Sequence, residues 1–386
     1  MTPSTTLPSA APAVVIGGGV MGTSILFHLA EAGVPALLVE RDTLAAGSTS
    51  KAAGGVRAQF SDDLNIAIAQ RSLQAFADFG RRPGWEIDLH RVGYLFLLTS
   101  AEDVESFERS IELQHGHGVP SRMISAAEAQ RLSPLIEVGD VLAAAFSPED
   151  GHCTPEAVVQ GYAAGARALG ARVEVACEVR GIELDGAGIA AVETSRGRIE
   201  TGAVICTAGA WSADVARMAG VELPVTPLRR QVLFTGPMTG LPAEMPMTID
   251  FATGFYFHRE GPGLLMGMAD PDETPGFRSE ATDGWIPALM EVVGRRAPAI
   301  ADAGISGGWA GLYEITPDDN GMIGEAARPS RFLYATGFSG HGFLQGPAVG
   351  EIVRDLYLGR SPFVDIAPLS ADRFQRGDLR PERNVV

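Results

Sequence analysis

Cysteine is scarce in this chain of 386 residues, which contains only Cys153, Cys177 and Cys206. The three are widely spaced, and no Cys-x-x-Cys or mixed Cys/His ligand spacing is present. The sequence therefore indicates neither a metal site nor a disulfide framework. Cysteines used in this way are compatible with a reducing compartment, and we expect a cytoplasmic protein.

Long apolar runs are also absent. No stretch of about 18 apolar residues occurs, so the sequence predicts no transmembrane helix. Residues 1–12 have neither the basic start nor the apolar segment of a signal peptide. We therefore expect a protein without a membrane span.

Positive charge is in short supply. The formal net charge is −17, from 30 Lys and Arg residues against 47 Asp and Glu residues. Such a chain repels nucleic acid and anionic membranes, so we expect a small-molecule partner, for which a local basic pocket remains available. The length and the 46% share of hydrophobic residues are typical of a globular enzyme with two domains.

A glycine-rich segment near the start has the pattern of a dinucleotide cradle. Gly17-x-Gly19-x-x-Gly22 follows a short apolar strand and opens a segment with helical spacing. In this pattern Gly17 permits the tight turn, Gly19 the approach of a pyrophosphate, and Gly22 close helix–strand packing. Glu40 follows at the end of the next apolar strand, where an acidic residue binds ribose hydroxyls.

Two other segments are candidates for cofactor contacts. The loop 48–55 offers hydroxyls and bare backbone to a phosphate or a ring, although an ordinary surface loop has the same composition. Near the other end, Gly340, His341 and Gly342 open a second helix. Its N-terminal dipole could stabilise negative charge on a reduced flavin, and a glycine-rich helix cap is the alternative.

Four side chains are candidates for substrate contacts. Arg57 could bind a carboxylate bidentately or form a surface salt bridge. Tyr256 and Tyr313 could orient a substrate through their hydroxyls, or simply pack in the core. His258 is expected on the same face of a strand as Tyr256, where it is a polar anchor, a proton relay or a buried structural histidine.

These motifs together resemble the D-amino-acid oxidase superfamily of FAD enzymes, in the branch of glycine oxidase, sarcosine oxidase and the amine dehydrogenases. The resemblance covers nearly the whole chain. It rests on Val14–Gly22, Glu40, the 48–55 loop with Arg57, Asp150-Gly151-His152, and residues 207–212, 311–318 and 337–350. Residues 311–318 and 337–350 are most similar to sarcosine oxidase β-subunits and related dehydrogenases.

The resemblance implies an α/β FAD-binding domain of the Rossmann-like, glutathione-reductase type and an α+β substrate domain with a mainly antiparallel sheet. The first would comprise residues 1–82, 146–226 and 310–386, and the second residues 83–145 and 227–309. Within these domains, residues 172–179 are expected to form one strand. Alternating strands and Gly/Pro turns between 225 and 315 favour the antiparallel sheet.

The resemblance also implies FAD, held without a covalent bond, since Gly311 stands where sarcosine oxidase has its flavin-linking cysteine. The adenine would meet the backbone of Val179. The predicted cofactor-binding residues are Gly17, Gly19, Val20, Met21, Gly22, Glu40, Arg41, Ser48, Thr49, Ser50, Ala53, Gly54, Gly55, Val179, Ala208, Gly209, Trp211, Gly311, Gly337, Gly340, His341, Gly342, Phe343 and Leu344.

The chemistry implied is oxidation of a C–N bond by hydride transfer from carbon to flavin N5, followed by imine hydrolysis, with peroxide formed if oxygen is the acceptor. No protein base is strictly required. The predicted substrate-binding or catalytic residues are Arg57, Tyr256, His258, Tyr313, His341 and Leu344.

Departures from the relatives shape the expected substrate. Monomeric sarcosine oxidase has lysines at the positions of Leu264–Leu265 and Leu344, and glycine oxidase has arginines at those of Tyr313 and Gly340. Arg57 matches the carboxylate-binding arginine of sarcosine oxidase. We therefore expect an N-substituted glycine or another secondary amino acid with an apolar substituent.

Other functions stay open. The chain could be an FAD dehydrogenase of a 2-hydroxy acid or of glycerol phosphate. It could also be the flavin subunit of a heteromeric amine dehydrogenase, since the missing lysine near residues 264–265 favours slow reaction with oxygen. Otherwise we expect a monomer or homo-oligomer that reduces oxygen or another acceptor. The net charge of −17 counts against a flavin domain acting on RNA.

Overall fold

The computed structural model describes residues 6–186 and 188–384. Its strands are β1 Val14–Ile16, β2 Leu37–Val39, β3 Gly55–Val56, β4 Tyr94–Leu98, β5 Arg122–Ile124, β6 Ala143–Ser147, β7 Gly151–His152, β8 Arg172–Glu174, β9 Val179–Asp185, β10 Gly188–Thr194, β11 Gly197–Glu200, β12 Val204–Cys206, β13 Thr226–Thr235, β14 Met247–Asp250, β15 Phe255–Glu260, β16 Gly263–Gly267, β17 Ile305–Ile315, β18 Met322–Glu325 and β19 Phe332–Thr336. Its α-helices are α1 Val20–Glu31, α2 Asp63–Ala77, α3 Ala101–Gly116, α4 Ala126–Leu132, α5 Pro155–Ala168, α6 Ser212–Arg217, α7 Ile286–Arg296, α8 Gly342–Tyr357 and α9 Asp372–Arg376.

A six-stranded sheet carries the first glycine-rich segment. Its order is β18-β19-β12-β1-β2-β8, and every neighbouring pair is parallel except β18 with β19. The inner strands β1, β2 and β12 are short runs of buried apolar residues, as a parallel sheet covered on both faces requires. Helix α1 connects β1 to β2, so the strand, helix and strand expected around Gly17–Gly22 form a βαβ unit.

The strand predicted over residues 172–179 is in fact two strands in different sheets. β8 ends at Glu174, and β9 begins at Val179 in a separate antiparallel sheet of order β11-β10-β9. Between them Ala176 has φ +47°, a left-handed conformation that ends a strand. The amide of Cys177 donates to the carbonyl of Glu40 at 2.8 Å, so the turn is tied to the end of β2.

An eight-stranded sheet of order β17-β13-β16-β15-β14-β4-β6-β5 forms the other layer. All its pairs are antiparallel except β14 with β4, in agreement with the predicted antiparallel character. The expected domain boundaries at residues 145/146 and 309/310 fall inside β6 and β17. The sheet therefore continues across both boundaries, and the division into domains stays a prediction.

Helices α1 and α8 cross at very short distance on the six-stranded sheet. A Cβ atom added to Gly346 would lie 2.7 Å from Cγ2 of Val20, and one added to Gly350 would overlap the Ser24 hydroxyl. Glycine at these two positions, one turn apart, is what permits the contact.

Among residues 6–186 and 188–384, no helix has the length and the apolar character that a membrane span requires.

A buried ion pair gives a test of this fold. Arg373 donates from Nε and Nη2 to the two carboxylate oxygens of Asp318, at 2.8 Å each, and both side chains are at most 1% exposed. Arg373→Leu would leave a buried carboxylate without its partner. We expect the free energy of unfolding, measured by urea denaturation, to fall by about 3–5 kcal/mol.

Arg376→Leu is the matched control. Arg376 pairs with Asp378 on the surface, where both side chains are more than half exposed. Removing an exposed pair costs at most about 1 kcal/mol. Equal losses in the two variants would contradict the structural importance of the buried pair.

Candidate active site

A cavity of about 640 Å³ lies between the six-stranded and the eight-stranded sheets, and both glycine-rich segments line it. Most of the predicted cofactor-binding residues border this cavity. They are Gly17, Gly19, Val20, Met21, Glu40, Arg41, Ser48, Thr49, Ala53, Gly54, Gly55, Val179, Ala208, Gly209, Trp211, Gly311, Gly340, His341, Gly342, Phe343 and Leu344. Gly22, Ser50 and Gly337 do not border it.

The N-terminus of α1 opens onto the cavity. Gly19 precedes the helix and has no side chain to cap it, and the first turn holds no acidic residue. The Val20 amide donates to Oγ1 of Thr49 at 3.2 Å. Gly17 has φ +114°, and a Cβ there would overlap the carbonyl oxygen of Thr207, so only glycine fits. Gly22 packs on the backbone of Gly17. Its predicted packing function holds, whereas a direct cofactor contact has no support. The helix dipole and the remaining amides of the first turn make this end a site for a diphosphate.

The nucleotide end of the cavity lies beyond β2. Oε2 of Glu40 accepts a hydrogen bond from the Gly18 amide at 2.6 Å, which holds the carboxylate at the end of the strand. The guanidinium of Arg41 stacks 3.8 Å from the centre of a Trp211 ring. Val179 borders the same region because the chain turns after β8. This arrangement fits a ribose and a flat base.

The second glycine-rich segment borders the opposite part of the cavity. Helix α8 begins at Gly342 without a side-chain cap or an acidic residue in its first turn. His341 is buried with its ring 5.2 Å from that of Phe60. Burial, and after it the charge of Arg57, lower the pKa of His341 to about 3, so the ring is neutral. Gly337 instead packs on Thr316, outside the cavity.

Three tyrosine side chains lie against three glycines around this cavity. A Cβ atom at any of these glycines would overlap its tyrosine. The pairs are Gly55 with Tyr94, Gly267 with Tyr256, and Gly340 with Tyr313. None of the three hydroxyls has a hydrogen-bond partner among residues 6–186 and 188–384. Burial raises all three pKa values, so these phenols are neutral donors for a ligand.

Arg57 borders the cavity and is only 4% exposed. Its two terminal nitrogens donate to the carbonyls of Gln59 and Asn384, the latter at 2.7 Å. Its Cζ lies 4.4 Å from the centre of the Phe60 ring. Within the described ranges no carboxylate forms an ion pair with it. The fold thus orients this guanidinium without neutralising it.

The charges of two buried acids act on Arg57, that of Glu382 more strongly than that of Asp150. Asp150 is the more deeply buried of the two. Its Oδ1 accepts the Ala58 amide at 3.2 Å, while its Oδ2 has no partner in the part of the chain described. Burial raises the pKa of Asp150 to about 7, against the opposing effects of hydrogen bonds and of Arg57. Burial also raises the pKa of Glu382, so the two acids compensate the charge of Arg57 only in part.

His258 does not border the cavity, although Tyr256 on the same strand does. Its Nδ1 lies 2.8 Å from the carbonyl oxygen of Arg259 and its Nε2 lies 3.0 Å from that of Ala53. Burial lowers its pKa, so the ring is neutral. The loop at Ala53 stands between this histidine and the cavity. The geometry favours the structural alternative and gives no support to a polar anchor or proton relay.

Sequence reasoning did not single out several residues that border the cavity. They include Tyr94, Arg230, Met247 and Lys51, the last within the 48–55 loop that was a candidate as a whole. Lys51 is the only lysine in the chain, which is a signal that the composition contains. Arg230 lies directly opposite Gly311 in the pairing of β13 with β17. Two consecutive arginines in an otherwise apolar strand indicated a functional residue there. Which of the two side chains faces the cavity depends on the register of the sheet, and the sequence alone does not give that register.

Comparison with known proteins agrees with this geometry. Residues 13–356 match the family model described as DAO, FAD dependent oxidoreductase. The chain belongs to this family. Its membership confirms the predicted family, fold class, enzyme class and flavin cofactor. The features of this chain that fit FAD are the Gly17–Gly22 segment and the N-termini of α1 and α8, which border one cavity.

Similar proteins include several amine oxidoreductases. Mitochondrial sarcosine dehydrogenase of Mus musculus is 30% identical, over 96% of this chain and 42% of its own length. Mitochondrial dimethylglycine dehydrogenase of Homo sapiens is 28% identical, over 94% of this chain and 44% of its own length. The chain thus spans less than half the length of these curated relatives. The L-proline dehydrogenase structure from P. horikoshii has a TM-score of 0.92 and 32% identity, and the alignment covers 97% of this chain and 100% of that one.

Gly340→Ala tests the close contact of the second glycine-rich segment. Gly340 has φ +99°, and an added Cβ would displace the Tyr313 ring. We expect FAD affinity, measured by quenching of flavin fluorescence, to fall about tenfold, since such strain costs about 1–3 kcal/mol. Gly307→Ala on β17 is the control, because no atom lies within 4 Å of its added Cβ. Equal affinities of the two variants would contradict this assignment.

Lys51 gives a direct probe of where FAD lies. Its Nζ is 5.6 Å from the ring of Trp309, and the residue borders the cavity. We expect added FAD to slow acetylation of Lys51 by acetic anhydride, because the bound cofactor would exclude the reagent. Peptide mass spectrometry measures the rate, with a free lysine peptide in the same tube as the control. An unchanged rate would place FAD elsewhere.

Proposed function

We propose that this chain catalyses the FAD-dependent oxidation of the C–N bond of a secondary amino acid, most simply an N-substituted glycine with an apolar substituent. The observation that carries the proposal is Arg57, a buried and unneutralised guanidinium on the same cavity as the two glycine-rich segments. FAD, when bound, would supply the acceptor for the hydride that leaves the substrate carbon. The resulting imine would hydrolyse to a carbonyl compound and a primary amine.

Arg57 would bind the substrate carboxylate and so fix the carbon beside it. The neutral hydroxyls of Tyr94 and Tyr313 would donate further hydrogen bonds to the same anion. Binding in one orientation brings the reacting carbon close to the acceptor atom, which is the main contribution a protein makes to such a reaction. No residue is required to remove a proton from carbon.

The rest of the substrate region is apolar. Leu344 and Phe343 on α8, with Met247 and Ile249 on β14, border the cavity. These side chains would contact the N-substituent and exclude water from the reacting bond. An apolar environment also favours the neutral amine, which is the form that gives up a hydride.

The names of the relatives support a secondary or N-methylated amine. Sarcosine dehydrogenase, dimethylglycine dehydrogenase and the 4-methylaminobutanoate oxidase of Paenarthrobacter nicotinovorans are named for N-methylated amines. L-proline, in the name of the P. horikoshii enzyme, is itself a secondary amino acid. Which amine this chain oxidises belongs to the proposal.

Two further parts of the proposal concern the cofactor and the electron acceptor. Gly311 offers no nucleophile, which supports FAD held without a covalent bond at that position. Leu264 and Leu265 are buried apolar residues, which supports slow reaction with oxygen and an acceptor other than oxygen. A heteromeric amine dehydrogenase, with this chain as its flavin subunit, is therefore the second candidate. Purified chain that reduces a dye but forms little peroxide would support it.

An anaerobic screen tests the reaction. We expect N-alkylglycines to bleach the flavin absorbance near about 450 nm, with one primary amine released per flavin reduced. Arg57→Ala should weaken the apparent affinity for N-benzylglycine about 30-fold or more, the effect of losing about 2 kcal/mol from a buried charged pair. N-methylbenzylamine, which lacks the carboxylate, is the matched control ligand.

Three results would overturn the proposal. The first is the absence of bleaching with every amine tested, and the second is bleaching by 2-hydroxy acids with no amine released. The third is an Arg57→Ala variant whose affinity for N-benzylglycine equals that of the wild type.

A further inference from the structure

Two consecutive arginines on β13 point to opposite faces of the eight-stranded sheet. Arg229 forms an ion pair with Glu273, with Nε 2.6 Å from Oε2, and donates to the carbonyl of Glu280. Arg230 borders the cavity, and its Cζ lies 5.4 Å from the centre of the Tyr313 ring. Neighbours in sequence thus have quite different surroundings.

Arg230 has no carboxylate partner among the residues that the structure describes. Within residues 6–186 and 188–384, its side chain donates one hydrogen bond, to the carbonyl oxygen of Arg229 at 3.2 Å. The chain has 47 acidic residues against 30 basic ones, so carboxylates are plentiful. The buried Arg296 on the same layer, for example, pairs with both Asp140 and Asp250. An arginine that lines a cavity without a carboxylate partner can bind an incoming anion, because its charge is not already compensated.

Arg230 and Arg57 meet different strands of the eight-stranded sheet. The Cζ of Arg57 lies 5.5 Å from the centre of the Phe96 ring on β4, and Arg230 is itself on β13. The strands β14, β15 and β16 lie between β4 and β13. The charges of both cations act on Tyr313. Burial raises its pKa, and the charges of both Arg230 and Arg57 act against that rise.

The side chains between the two arginines are mostly apolar. One row of paired residues runs across the strands β13, β16, β15 and β14. Its members, in that order, are Val232, Gly267, Tyr256 and Ile249. All but Gly267 border the cavity. The surface from one guanidinium to the other would therefore suit a chain of methylene groups with an anion at each end.

We propose that Arg230 is a second anion-binding residue and that the substrate is a diacid, an N-substituted glycine whose apolar substituent ends in a carboxylate. This inference rests on the proposed function, in which the glycine carboxylate lies on Arg57. A ligand with one carboxylate would displace water from both arginines and pair with only one of them. A diacid pairs with both, so the second charge contributes to selectivity.

Matched ligands test this proposal on the FAD-loaded protein. N-(3-carboxypropyl)glycine and N-butylglycine have substituents of four carbons and differ in the terminal carboxylate. Homologues with one carbon more or fewer vary the separation of the two carboxylates, so that the best match to the two arginines can be identified. The apparent dissociation constant is measured anaerobically from perturbation of the flavin spectrum and by calorimetry, and reduction of the flavin is recorded separately.

We expect the wild type to bind the best diacid about tenfold or more tightly than its matched N-alkylglycine. Arg230→Gln should reduce that ratio by about tenfold, and Arg230→Lys should retain part of it. Arg229→Gln, which removes the neighbouring charge on the other face, is the control and should leave the ratio unchanged. FAD affinity is measured for every variant.

Several results would overturn the inference. They are a ratio that is unchanged in Arg230→Gln, a ratio that falls equally in Arg229→Gln, or a loss of FAD affinity in Arg230→Gln that accounts for the effect. If a diacid binds in an Arg230-dependent manner but no ligand reduces the flavin, the second anion site stands and the proposed amine oxidation fails. The two failures are therefore distinguishable.

Discussion

The close crossing of α1 and α8 is the contact on which the site depends. Glycines 346 and 350 remove the side chains that would hold the two helices apart. Both helices begin at the cavity, so their close packing brings two helix N-termini together from ends of the chain more than three hundred residues apart. The side chain of Met21 lies 3.6 Å from where a Cβ of Gly342 would be. One end can hold a diphosphate, and the other can face a flavin ring.

A second theme is positive charge held locally in a very acidic chain. The net charge of −17 acts on distant anions only weakly, because salt screens charges beyond about 8 Å at physiological ionic strength. At the cavity, by contrast, basic side chains without an acidic partner are present. Arg57, Arg230 and Lys51 border it, and none of the three forms an ion pair in the described parts of the chain. Such a cavity can select small anionic substrates although the surface as a whole repels polyanions.

The sequence was sufficient to predict local structure wherever a fixed spacing of residues determines the backbone geometry. The Gly17–Gly22 pattern predicted its turn and its helix because each glycine has a separate steric reason. It was insufficient where tertiary packing decides. The strand over residues 172–179 breaks at Ala176 because the chain changes sheets there, which no local periodicity reports. His258 does alternate with Tyr256 as expected, but the loop at Ala53 covers it.

Tyr94 and Arg230 were missed for a related reason. Period-two alternation indicates that a strand has two faces, but the register of the whole sheet decides which face meets the cofactor cavity. The glycines illustrate the same limit. Gly55 and Gly340 were expected to admit a cofactor, and in the structure they also make room for tyrosine rings.

The central claim is that the cavity between the two sheets holds FAD and presents Arg57 to a carboxylate. A crystal structure with FAD and N-benzylglycine under anaerobic conditions, with the flavin already reduced, tests it most directly. The account predicts the diphosphate at the N-terminus of α1, the flavin ring beside α8, and the ligand carboxylate within hydrogen-bond distance of the Arg57 guanidinium. A ligand carboxylate held elsewhere, with Arg57 bound only to the carbonyls of Gln59 and Asn384, would contradict it.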